Sequence, residues 1–152
     1  AKTSCKTPIY LKIAPDLIDA QVADIVNVAL SCGIDGMIVT NTTTSRPNDL
    51  PPEFAKEDGG LSGKPVFDMS TKLLGDIYKL TGGKIPLIGC GGVFTGADAY
   101  AKIRAGATLV QVLTGMVFEG PSIVARITKE LAALLKRDGF SCAKDAVGAD
   151  FK

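Results

Sequence analysis

An α/β fold built on a parallel sheet is the class this sequence predicts. Short β-rich apolar runs alternate with amphipathic stretches along the whole chain. The runs are almost continuously apolar, the signature of strands buried on both faces or closed into a barrel. Four β/α units are visible in 152 residues, and the chain begins directly in a strand context with no helix before it, as if cut from a larger repeat. Together these observations favour a half of a (β/α)8 TIM barrel, read as one segment over residues 1–152, over a small doubly wound sheet. Four strands cannot close a barrel, so such a segment would leave two sheet edges and the apolar inner face open.

Each element has its own warrant. Residues 9–14 (IYLKIA) form an apolar, β-branched run stopped by Pro15. Val22, Ile25, Val26, Ala29 and Leu30 recur at helical spacing, with Asp19 placed to cap the start and Gly33 to end the helix in a left-handed turn. Residues 36–40 are the second strand and 87–90 the third. Between them lies a helix with Leu73, Leu74, Ile77 and Tyr78 on one face and Gly82 after it. Thr95 followed by Asp98 is a capping-box signal for a helix running to about Arg104, with Gly106 as its stop. Residues 109–113 are the fourth strand, and a last helix opens at Pro121 and runs to Gly139. Residues 41–68 would join a strand to its helix through a connection far longer than the usual ~2–6 residues. Long loops of this kind serve function, and this one would lie at the C-terminal face of the barrel, where such folds bind substrate.

Composition narrows the chemistry. Lys and Arg (17) nearly cancel Asp and Glu (16), so no broad positive field is available for nucleic acid or an anionic membrane, and an anionic ligand must be held locally. Cys5, Cys32, Cys90 and Cys142 make no C-x-x-C pair, which argues for free thiols in a reducing compartment. Without a histidine the chain lacks the commonest general base and most zinc sites, and no metal site is expected. No apolar run approaches the ~20 residues of a bilayer span, and Ala1 to Lys6 lacks the regions of a signal peptide.

Four features fall at strand C-terminal ends. Lys12 is a lone ammonium in an apolar strand; alternation puts it on one face with Tyr10 and Ala14, and if that face lines the barrel the charge requires an anionic partner. Thr40, Asn41 and Thr42 open a polar run whose hydroxyls and carboxamide suit the amide-like edge of a planar heterocycle. Glycines cluster at 59–63 (GGLSG) and at 89–92 (GCGG), where missing side chains let backbone N–H groups approach a phosphate. A Gly-Gly pair after one strand and Thr114-Gly115 after the next fit the phosphate site that barrels build after their last two strands. Cys90, flanked by glycines but with no adjacent histidine, reads as an inert thiol.

In order and spacing, the segments 12–17 (KIAPDL), 33–36 (GIDG), 40–43 (TNTT), 59–63 (GGLSG), 91–93 (GGV), 103–107 (IRAGA) and 146–150 (AVGAD) resemble class 2 dihydroorotate dehydrogenase, in its C-terminal half. The resemblance implies an FMN enzyme of pyrimidine biosynthesis that oxidises dihydroorotate to orotate and passes the electrons to a quinone. It places Lys12 beside the flavin as a fixed positive charge and Thr40 against the same ring. Asn41 and Thr42 would bind the orotate edge, Ser62 and Gly63 would lie beside the flavin, and Gly91, Gly92, Leu113 and Thr114 would hold the phosphate. Leu113 departs from the family, where tyrosine is common; a main-chain contact there would be unaffected. The family's serine base, further substrate asparagines, and the N-terminal helices that form the quinone tunnel and dock on the membrane all precede the matched segment. The resemblance therefore implies a partner in the other half of the same enzyme, and inactivity of this segment by itself. Relatives of this kind lie on the mitochondrial inner membrane or the bacterial cytoplasmic membrane, and the 146–150 ending leans toward the former. Two other functions compete: a phosphate-binding barrel aldolase or isomerase using Lys12 as a Schiff base, and a non-catalytic half-barrel that dimerises through its open edges.

Overall fold

The computed structural model describes residues 7–48 and 50–152. The expectations for Ala1 to Lys6, Cys5 included, lie outside the described residues. Four strands, β1 (Tyr10–Ile13), β2 (Gly36–Val39), β3 (Leu87–Cys90) and β4 (Leu109–Gln111), form one parallel sheet in the order β1-β2-β3-β4. Sequential order in a parallel sheet requires a crossover after every strand, and helices supply it. These are α1 (Asp19–Cys32) after β1, α2 (Pro52–Ala55) and α3 (Phe67–Thr81) after β2, α4 (Gly96–Arg104) after β3, and α5 (Thr114–Glu119) and α6 (Ile123–Arg137) after β4.

Strand alternation decides which face is covered. Met37, Val39 and Leu87 are fully buried and join Ile13 in the core with Val22, Val26, Leu74 and Ile77 of α1 and α3. The opposite row in register, Lys12, Ile38, Ile88 and Leu109, is not covered by any helix, and Leu109 is 61% exposed. This one-sided burial is the arrangement of half a barrel, its inner face open. A second cluster packs Tyr100 and Ile103 of α4 against Leu131, Leu134 and Leu135 of α6.

The chain's last residues fold back in two short 3-10 turns, Ala143–Ala146 and Ala149–Phe151. Gly148 N–H donates to the Ile103 carbonyl at 3.1 Å, and Arg104 donates to Asp150 at 2.6 Å. The Tyr78 ring fills a slot where a Cβ on either Gly106 or Gly148 would come within 2.3 Å of it. Phe151 stacks on Tyr78 with ring centroids 6.0 Å apart and covers Gly75 of α3.

Several sequence expectations need correction at their ends. Asp19 does not cap α1; Ile18 is the N-cap, its N–H bonded to the Gln21 side chain at 3.1 Å, and Asp19 is the first helical residue. The fourth strand stops at Gln111, two residues before its predicted end, and residues 114–119 form α5, a helix too short for the sequence pattern to announce. Pro121 precedes the last helix, which starts at Ile123. The long connection after β2 carries α2, a 3-10 turn at Lys64–Val66 and a Thr43–Leu61 bridge, so it is an ordered excursion. The predicted left-handed cap at Gly33 has φ of 63°, Gly82 after α3 adopts the same conformation at 58°, and Thr95 with Asp98 forms the predicted capping box.

Candidate active site at the strand ends

Parallel strands deliver their carboxyl ends to one edge of the sheet, so whatever follows each strand converges there. A cleft opens at that edge. All ten residues singled out in the sequence line it: Lys12, Thr40, Asn41, Thr42, Ser62, Gly63, Gly91, Gly92, Leu113 and Thr114. Val66, Cys90, Phe94 and Gln111 line it as well. A wider groove between α1 and α3, ringed by Lys72, Asp76 and Lys79, shares none of these lining residues.

Local chemistry fixes each wall. Thr40 N–H donates to the Cys90 carbonyl at 2.8 Å and Asn41 N–H to the Ile13 carbonyl at 2.7 Å, extending the sheet ladder past β2 and setting the buried Thr40 and the exposed Asn41 in the cleft wall. The Asn41 side-chain oxygen accepts from Thr42 N–H at 2.9 Å, leaving its amide NH2 free to donate. Asp16, just after β1, holds the next turn: it accepts from the hydroxyls of Thr43 and Ser45 and from Thr44 N–H. Burial pushes its carboxyl up, but these hydrogen bonds together outweigh burial and leave it below its ordinary range. The excursion then returns along Thr43–Leu61 and is tied to the end of β4 by Thr114, whose hydroxyl donates to Ser62 Oγ at 3.0 Å.

Glycines form the floor. A Cβ on Gly92 would lie 2.6 Å from Phe67 Cα and 2.8 Å from Phe67 N, and one on Gly91 2.9 Å from Ser70 Oγ, so the turn is pressed against the start of α3. The N–H groups of Gly91, Gly92, Thr114 and Gly115 have no acceptor among the described residues. Four unpaired donors around a floor without side chains fit an anionic, many-acceptor group such as a phosphate.

Behind the floor, Asp98 accepts from the N–H groups of Phe94 and Thr95, both at 2.9 Å, and pairs with Lys64 at 3.0 Å. Burial pushes its carboxyl up, and the bonds from Phe94, Lys64 and Thr95 bring it below the usual range. Sequence reasoning gave Asp98 only a helix-capping part, and gave Asp16, Ser70 and Lys102 none. The proline before Asp16 is the one local signal that a strand-end carboxylate was being placed.

A sequence profile of the dihydroorotate dehydrogenase family matches residues 1–135. The chain belongs to the dihydroorotate dehydrogenase family. It is 53% identical over 149 residues to the dihydroorotate dehydrogenase (quinone) of Xanthobacter autotrophicus, covering 98% of this chain and 42% of that protein. With the mitochondrial dihydroorotate dehydrogenase (quinone) of Oryza sativa it shares 57% identity over 147 residues, 95% of this chain and 31% of the relative. The ligand-free dihydroorotate dehydrogenase of Eimeria tenella superposes with a TM-score of 0.94 at 47% identity, over 99% of this chain and 42% of that one. The chain thus spans less than half the length of these dihydroorotate dehydrogenases. Relatives from plants and mouse are named mitochondrial, while others are bacterial.

Proposed function

We propose that this chain is the C-terminal half of a quinone-dependent dihydroorotate dehydrogenase and supplies part of its FMN and orotate site. The observation that carries this reading is the convergence of Lys12, Asn41, Gly92 and Thr114 on one cleft, in a chain of that family. In the reaction, dihydroorotate loses two hydrogens across a carbon–carbon bond to become orotate, and a quinone takes up two electrons and two protons to become the quinol. FMN, when bound, supplies the two-electron relay between them.

The residues of this chain act by binding and electrostatics. Gly91, Gly92, Thr114 and Gly115 offer N–H donors to the phosphate, with Leu113 contributing through its backbone. Lys12, which enters no ion pair among the described residues, would set a fixed positive charge beside the flavin and support the reaction electrostatically. Thr40, Ser62 and Gly63 border the ring, and the free amide of Asn41 with the Thr42 hydroxyl reads the polar edge of orotate. The proton-abstracting base and the quinone contacts belong to the preceding half of the enzyme. That half also carries the attachment to the mitochondrial inner membrane or, in a bacterial source, the cytoplasmic membrane.

The test uses the full-length protein carrying this chain. It should purify yellow, lose its flavin absorbance when dihydroorotate is added without oxygen, and regain it on addition of a short-chain quinone. Lys12→Ala should slow that reduction by about a hundredfold or more, the scale seen when one preorganised charge-stabilising group is removed. A colourless protein that takes up no FMN, or a Lys12→Ala variant reduced at the normal rate, would refute the reading or the role given to Lys12, respectively.

A further inference from the structure

One charged side chain beneath the cleft floor takes no part in the reading above. Lys102 of α4 is fully buried, and its stem occupies the space left by Gly89 of β3, where a Cβ would lie 3.1 Å from Lys102 Cβ and 3.2 Å from Cδ. Its ammonium donates to Ser70 Oγ at 2.5 Å and stands 5.1 Å from the centroid of the Phe67 ring. Among the described residues no carboxylate pairs with it directly. The charges and titratable groups facing it are Cys90 from β3, Asp68 from α3 and Asp98 from α4, and Asp98 is already paired with Lys64. A buried cation lacking a carboxylate partner is unfavourable unless an anion arrives from elsewhere.

Ser70 links this ammonium to the floor. Its single proton is shared between the carbonyls of Phe67, at 3.0 Å, and Gly91, at 3.4 Å. The Gly91–Gly92 peptide is trans and planar, so its N–H points opposite to its C=O. With the Gly91 carbonyl directed back at Ser70, the Gly92 N–H is turned toward the cleft that Gly92 lines.

We propose that Lys102 is a positioning residue for the phosphate end of the cleft. Through Ser70 it anchors the Gly91–Gly92 peptide with its N–H outward, and its buried charge favours a phosphate dianion over a neutral group in the same place. The inference rests on the flavin reading of the cleft and deepens it. Burial pushes the Lys102 ammonium down to about 8, against the opposing pull of Cys90, Asp98 and Asp68, so its charge is present at neutral pH and is lost as pH rises through that value. A phosphate is dianionic above about pH 6.5, so the charge of the phosphate itself is constant over the range in which the lysine titrates.

Full-length protein carrying this chain is titrated with FMN and with riboflavin, which lacks the phosphate, from about pH 7 to about pH 10. The ratio of the two affinities cancels effects on the ring. For the wild type, preference for FMN should fall as pH passes through about 8. In Lys102→Met, an apolar side chain of similar length, the preference should be about tenfold lower at pH 7, the scale of one lost charge-assisted hydrogen bond. The pH decline should vanish and riboflavin affinity should be unchanged. Ser70→Ala should lower the preference but keep the decline, because the charge remains. A decline that persists in Lys102→Met assigns it to another group and overturns the proposal. So does a wild-type preference that is flat with pH, or an equal loss of FMN and riboflavin binding in Lys102→Met; these leave the flavin reading intact. A wild type that binds neither flavin overturns both.

Discussion

Two glycines that look alike in the sequence are predicted to behave differently. Gly59 (φ 101°) and Gly92 (φ 73°) both stand in glycine-rich turns with left-handed backbone, but a Cβ on Gly59 meets nothing within 4 Å, whereas one on Gly92 runs into the backbone of Phe67. Gly59→Ala carries only the left-handed penalty of ~1–2 kcal/mol. Gly92→Ala adds a collision with main chain that no rotamer relieves, so it should be destabilised by about 1–3 kcal/mol more and lose phosphate affinity. Urea midpoints of the two variants check this, and equal midpoints would contradict it. The glycine runs themselves were legible because residues without side chains stand out in any sequence. Which glycine is crowded was not, since Phe67 approaches from an element 25 residues away. Lys102 was hidden for the same reason: in the helix pattern it reads as one more charged position, and only the absence of a side chain on Gly89 lets its stem turn inward.

Among the elements, the excursion at residues 41–66 is fastened to the segment after β1 by Asp16, while Arg46 closes it on itself through the carbonyls of Thr44, Ser45, Glu57 and Gly59. The two oxygens of Asp16 gather Thr43, Thr44 and Ser45, and Thr43 in turn bridges to Leu61. Asp16→Ala removes three partners at once, each worth ~1 kcal/mol where partly buried. Amide hydrogen exchange at Thr44, Ser45 and Leu61 should accelerate severalfold or more, while that of α1 and α3 stays unchanged. Uniform acceleration across the helices would instead assign Asp16 a global role. Strands β1 to β4 and the helices α1, α3, α4 and α6 were readable from periodicity, because each buries a stripe of its own. The short helix α5 was not, for six residues give too little period to tell a helical turn from a strand. Nor was the order within the excursion, which depends on a carboxylate from another unit.

At the level of the molecule, the sheet's open face and edges set behaviour in solution. Ile9 and Tyr10 at the start of β1, and Leu109, Leu113, Val117 and Phe118 in and after β4, are all exposed, with Phe118 at 78%. Exposed apolar side chains next to unpaired strand edges promote association. Sedimentation of the 152-residue chain by itself should therefore show mass rising with concentration, and dye binding to exposed apolar surface should fall when the preceding part of the enzyme is supplied. A chain that stays monomeric and dye-silent would mean that these faces are closed in another way. The half-barrel was legible as a pattern of four repeats because strand and helix lengths repeat; how the last residues are used was not, since no periodicity governs them.

Those last residues do more than end the chain. Phe151 lies over Gly75 of α3, while Gly148 and Asp150 grip Ile103 and Arg104 at the end of α4. Neighbouring β/α units, otherwise joined along β3, thereby acquire a latch on the outer shell, closed by the shape of one phenol ring in a slot without side chains. Such a latch makes α3 and α4 open together or not at all, and it keeps the two walls that press on the cleft floor, Phe67 from one and Lys102 from the other, in step.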